Sequence, residues 1–220
     1  QIVLDDADLD LAIDGVLWGA FGTTGQRCTA TSRLVLQQGI HDTFVERLVA
    51  RAQALVLGDG RVVGHDVGPL VNEAAREKVE RYVQIGKEQG AALRCGGARA
   101  TGGALDAGFF FQPTIFTKVT AGSRLEQEEI FGPVLSVIQV ATVDEAFAVN
   151  NGVRYGLSSS VYTSNVNVAF RALQDLDNGI TYVNVASSEY YGYTFEQVAQ
   201  RCPDEMDDLI DTLETRGMIR

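Results

Sequence analysis

The feature that most constrains the fold is the alternation of helical and extended patterning in the second half of the chain. Val143 to Asn150 has helical spacing, Ser158 to Thr163 is extended, Val166 to Leu176 is helical again, and Ile180 to Val183 returns to an extended run. Strands separated by a single helix and short connections come back in the same direction. This order therefore predicts crossover units, a largely parallel sheet and an α/β fold. The first half fits the same plan. Ile2 to Leu4 reads as a short buried strand, and Asp8 offers an N-cap to a helix with Leu9, Ile13, Val16, Leu17, Ala20 and Phe21 at helical spacing. Arg33 to Gln37 and Leu135 to Val140 read as strands, Asp42 to Leu57 as an amphipathic helix, and Asn72 to Gln89 as a second one.

Three stretches break the regularity. The glycine-rich pass from Cys95 to Gly108 lacks the GxxxxGK[ST] order of a phosphate loop and reads as a surface turn. Phe109 to Val119 is extended but contains Pro113, which suits an edge strand or a strand bend. After Asn184 a polar and aromatic linker, Ser187 to Tyr193, leads into two helical patterns. Thr194 with Gln197 has the form of a capping box, and Pro203 opens the second helix. The chain thus divides into a main domain, residues 1–184, and a small helical appendage, residues 185–220. The closing Leu213-Glu214-Thr215-Arg216-Gly217-Met218-Ile219 resembles the turn of winged-helix modules. Packing or partner binding is the preferred role for the appendage.

Net charge narrows the partners. The chain carries -11 at pH 7 with Lys and Arg scattered singly, which argues against a nucleic-acid surface and for a small-molecule substrate. Its apolar runs are too short to span a bilayer. The three cysteines, Cys28, Cys95 and Cys202, form no CxxC pair, so free thiols and a reducing, cytoplasmic setting are expected. Two histidines, His41 and His65, offer little for a zinc site or a histidine-driven triad, and no metal site is read. No secretory leader is read in Gln1 to Asp6.

Two stretches carry candidate chemistry. Phe21 to Ala30 delivers Cys28 out of an apolar helix through a turn containing Gly22 and Gly25. Such a cysteine is either a buried small hydrophobe or a nucleophile, and the helix terminus it meets bears on which. Glu126 to Val134 places several carboxylates before an aromatic residue and a Gly-Pro turn. Most of these carboxylates read as a solvated loop. A carboxylate beside an aromatic ring at a strand entrance also suits a ribose hydroxyl.

Gly25-Gln26-Arg27-Cys28-Thr29-Ala30, Gly68-Pro69-Leu70, Gln112-Pro113-Thr114-Ile115-Phe116, Glu128-Glu129-Ile130-Phe131-Gly132-Pro133-Val134, Tyr155-Gly156-Leu157-Ser158 and Gly179-Ile180-Thr181-Tyr182-Val183-Asn184 together resemble the catalytic domain of the aldehyde dehydrogenase family, in its order and spacing. The resemblance covers roughly residues 1–184. It implies that Cys28 is the nucleophile, adding to an aldehyde to give a thiohemiacetal whose oxyanion is held partly by its own backbone N–H. Hydride then passes to NAD or NADP, and a carboxylate base helps water hydrolyse the thioester. Glu129 is implied as the contact to the nicotinamide-side ribose and Phe131 as a wall of the nicotinamide pocket. The same resemblance implies that the general-base glutamate, an oxyanion-hole amide and the dinucleotide-binding domain precede Gln1, and that the family's closing segment is replaced after Asn184. The chain is thus expected to be a catalytic-domain portion, inactive by itself. Semialdehydes fall within the implied substrates, and a homo-oligomer is an open assembly. The alternative is a non-catalytic folded remnant or partner-binding module.

Overall fold

The computed structural model describes residues 1–185. The expected capping box and helices of residues 186–220, and Cys202, lie outside the described residues. Among those described, seven strands form one sheet: β1 (Ile2–Val3), β2 (Arg33–Gln37), β3 (Ala92–Cys95), β4 (Thr114–Thr117), β5 (Val134–Val140), β6 (Ser158–Tyr162) and β7 (Ile180–Val183). Their spatial order is β3-β4-β5-β2-β1-β6-β7. Every pairing is parallel except β3 with β4. The α/β architecture with a largely parallel sheet is as the alternation required.

Side-chain alternation along the strands divides the core into two faces. Val3, Leu34, Leu36, Leu135 and Val137 face α1 (Leu9–Phe21) and α2 (His41–Gln53). Ile2, Val35, Val134, Ile138 and Val161 face the opposite way, toward α3 (Glu73–Glu88), α5 (Val143–Asn151) and α6 (Val166–Asp175). The short α4 (Arg124–Gln127) adds Leu125 to this second layer. Both faces are covered, which is why the strands read as continuous apolar runs.

Local signals set the helix starts. The Asp8 carboxylate accepts from the N–H groups of Asp10 and Leu11 at the head of α1. Asn72, Thr142 and Asn165 cap α3, α5 and α6 in the same way. Each supplies an acceptor to a helix N–H that has no partner within the helix.

The structure corrects four expectations. The helix read from Asp42 to Leu57 ends at Gln53. Leu57 instead bridges to Val67, and Val56 donates its N–H to the Asp66 carboxylate, so a tertiary pairing removes the last turn. The run containing Pro113 is not an edge strand, because β3 pairs on its outer side. Pro113 lies just before β4, where its missing N–H interrupts no ladder bond. The glycine-rich surface turn read from Cys95 to Gly108 begins one residue later, because Cys95 closes β3. Finally, Gly22 is right-handed at φ -58°, and it is Thr24 and Gly25, at φ +58° and +66°, that reverse the chain after α1.

Candidate active site

Parallel strands start at a common edge of the sheet, so the segments entering them converge there. The segments entering β2, β5, β6 and β7 contain residues 22–32, 128–133, 152–157 and 176–179. Together they form the wall of one cleft of about 440 Å³. Cys28, Glu129, Phe131, Tyr155 and Asn178 all line it. Ligands in open parallel sheets more often sit at the carboxyl ends of strands. Here the chemistry-bearing segments gather at the amino ends. Among the described residues, no helix is long and apolar enough to cross a membrane.

The Cys28 turn is held from two sides. Thr24 Oγ1 donates to the Gly68 carbonyl at 3.0 Å, and the Gln26 side chain takes Val71 N–H at 2.9 Å and reaches the Pro69 carbonyl at 3.3 Å. The Gly68-Pro69-Leu70 stretch thus serves as its backing. On the other side, a Cβ on Gly25 would stand 2.1 Å from the Gly132 carbonyl oxygen. Only a glycine permits that approach, and through it the turn carrying the thiol rests on the turn carrying Glu129 and Phe131.

Cys28 is exposed, whereas Cys95 is buried. The bland reading of Cys28 as a core cysteine is therefore excluded. Cys28 follows the carboxyl end of α1 by seven residues, beyond the chain reversal at Thr24 and Gly25. Its neighbour Arg27 lies over the Trp18 ring at 5.3 Å and donates to the Trp18 carbonyl at 3.3 Å. Burial pulls the Arg27 guanidinium below its ordinary value, with the nearby Cys28 opposing. Among the described residues the Cys28 backbone N–H donates to no acceptor.

The three carboxylates before Phe131 have separate fates. Glu126 is buried at 4% exposure and accepts from Arg33 Nη1 at 2.6 Å, against the expectation of a mostly solvated loop. Glu128 accepts from Tyr82 Oη at 2.7 Å and from Arg124 Nε and Nη2 at 2.9 and 3.0 Å. These bonds, Arg124 first and Tyr82 next, hold its carboxyl down to about 2. Glu129 is exposed, and among the described residues it has no hydrogen-bond or ion-pair partner. Phe131 is 43% exposed and adopts φ +59°, an uncommon conformation for an aromatic residue. An unpaired carboxylate and an uncovered ring at one cleft fit a ribose hydroxyl and a planar heterocycle. Sequence reasoning did not find Arg33 or Glu126 as cleft residues, since their pairing spans 93 positions.

Comparison with known proteins identifies the family. The pattern of the aldehyde dehydrogenase family matches residues 1–195, which runs past Asn184. An alpha-ketoglutaric semialdehyde dehydrogenase of Bacillus subtilis (strain 168) is 38% identical over 187 residues, 85% of this chain and 38% of the relative. A betaine aldehyde dehydrogenase of Mesorhizobium japonicum is 43% identical over 183 residues, 83% of this chain and 38% of its own length. A crystal structure of betaine aldehyde dehydrogenase from Staphylococcus aureus in complex with NAD+ superposes with a TM-score of 0.84 at 35% identity, covering 88% of this chain and 38% of that one. The chain thus spans 38% of the length of these two curated relatives. With this coverage and identity, the chain belongs to the aldehyde dehydrogenase family.

Proposed function

We propose that this chain is the nucleophile-bearing portion of an NAD(P)-dependent aldehyde dehydrogenase acting on a small aldehyde, with semialdehydes in its substrate range. The observation that carries the reading is the meeting of Cys28, the exposed Glu129 carboxylate and the exposed Phe131 ring at one cleft. The Cys28 sulfur attacks the aldehyde carbon as thiolate, forming the C–S bond and driving the carbonyl electrons onto oxygen. The Cys28 backbone N–H donates to that oxyanion. Bound NAD or NADP supplies the hydride acceptor for the oxidation. Glu129 would accept a hydrogen bond from a ribose hydroxyl of that cofactor, and the Phe131 ring would wall its nicotinamide. The acyl group left on Cys28 is a thioester, which water opens to the carboxylate and the free thiol.

By itself the 220-residue chain is proposed to be inactive, on the ground that it spans 38% of the Bacillus subtilis relative's length and that the family resemblance implies a general base and a dinucleotide-binding domain outside the matched stretch. The alternative for the isolated chain is a folded non-catalytic or partner-binding module. We place its setting in the cytoplasm, keep residues 1–184 as the catalytic unit, and leave a homo-oligomer as its assembly. The test joins the N-terminal portion of the Bacillus subtilis relative to Gln1 and measures aldehyde-dependent NADH formation. Cys28→Ala is expected to lower turnover by about 10³-fold or more. Unchanged turnover in Cys28→Ala would sink the nucleophile assignment, and robust turnover by the unfused chain would sink the proposed inactivity.

A further inference from the structure

A buried ion pair on the cleft wall joins the segments that carry the proposed site. Glu126 has both carboxylate oxygens engaged: Oε1 accepts from Arg33, while Oε2 accepts from Gly122 N–H at 3.1 Å and from the Gln127 side-chain amide. Arg33 side-chain exposure is 15% and that of Glu126 is 1%. The same guanidinium also donates to the Val149 carbonyl at 2.9 Å and the Asn150 carbonyl at 2.8 Å, at the end of α5. One planar group therefore ties three segments of the chain. Arg33 opens β2, five residues after Cys28. Glu126 precedes Glu129 by three residues, and Asn150 leads into the segment of Arg154 and Tyr155.

Charge is an expensive way to fill such a place. A buried pair is often matched or bettered in stability by apolar side chains of similar volume, because both ions must leave water. What apolar side chains lack is direction. A guanidinium fork fixes the relative position of every acceptor it meets, within the angular tolerance of a hydrogen bond. We propose that Arg33 and Glu126 are positioning residues, which hold the Glu129–Phe131 turn in register with the Cys28 turn across the cleft. This rests on the reading that Cys28, Glu129 and Phe131 serve one site.

The test uses the intact 220-residue protein and site-resolved iodoacetamide labelling of Cys28 and Cys95, followed by mass spectrometry across a pH series, beside thermal unfolding. The apolar pair Arg33→Met with Glu126→Leu is expected to leave the melting temperature within a few degrees of the parent. It is expected to accelerate Cys28 labelling about threefold or more, as the turn bearing Phe131 and Glu129 loses register, with Cys95 unchanged. In a Glu129→Gln, Phe131→Ala background the same pair is expected to change Cys28 labelling by less than about 1.5-fold. Glu126→Gln, which keeps shape and one Arg33 contact, is expected to shift Cys28 in the same direction by less, and it decides the matter if the apolar pair does not fold. Rates of Cys28 that do not change, or that change equally in both backgrounds, overturn the positioning role. If Glu129→Gln with Phe131→Ala leaves Cys28 labelling untouched, the shared-site reading itself fails, and that result is separate from the first.

Discussion

Gly25→Ala tests the joint between the two site-bearing turns. Two costs add at this position. Gly25 sits at φ +66°, and a Cβ in the left-handed region costs about 1–2 kcal/mol. That Cβ would also meet Gly132 O at 2.1 Å, Gly132 C at 2.5 Å and Pro133 N at 3.1 Å, all backbone atoms that cannot swing aside. Forced overpacking of this kind costs about 1–3 kcal/mol more. The sum is about 2–5 kcal/mol, out of a total stability of about 5–15 kcal/mol for an ordinary domain. At about 2–4 °C per kcal/mol for a chain of this size, the melting temperature should fall by about 4–20 °C. Gly103→Ala is the control, since Gly103 has φ +59° and nothing within 4 Å of an added Cβ. It bears the conformational cost alone. Circular dichroism melts of the parent and both variants, with Cys28 labelling alongside, separate the terms. Equal shifts for Gly25→Ala and Gly103→Ala would refute the claim that the Cys28 turn rests on Gly132.

Further outcomes follow from the same geometry. Exposed Cys28 should be alkylated well before buried Cys95 in the native protein, and burial, which pushes the Cys95 thiol up, slows it further; equal rates would contradict the placement. Glu128 falls from its ordinary value of 4.5 to about 2 in the fold, so its contribution is fully present above about pH 4.5 and is lost as pH falls toward 2. The gap in melting temperature between the parent and Glu128→Gln should therefore be constant from pH 7 down to 5 and narrow by pH 3. Asp6→Ala removes the acceptor shared by the Thr163 and Ser164 hydroxyls and the N–H groups of Ser164 and Asn165 ahead of α6. It should destabilise the protein by about 1–3 kcal/mol, read by urea unfolding with the slope unchanged.

Local chemistry made much of this protein legible from its sequence. Apolar period, capping residues such as Asp8 and Asn72, and the order of elements act over a few residues, and they determined the α/β class, the starts of α1, α3 and α5, and the parallel direction of most strands. The motifs around Cys28 and Glu129 were likewise visible as stretches. What separated Glu126, Glu128 and Glu129 was not. Three acidic residues within four positions look alike in sequence, and only their partners, Arg33 from 93 residues away, Tyr82 from 46, and none among the described residues for Glu129, set them apart. The same holds for Pro113, which looked like an edge signal until β3 arrived to cover the edge, and for the end of α2, where pairing of Leu57 with Val67 overrode helical periodicity. The site itself was a tertiary decision. Cys28 and Phe131 stand 103 positions apart, and they meet because parallel strands bring every entering segment to one edge of the sheet, where Gly25 lets two backbones touch. Sequence supplied Cys28, Glu129 and Phe131; the direction of the strands placed them around one cleft.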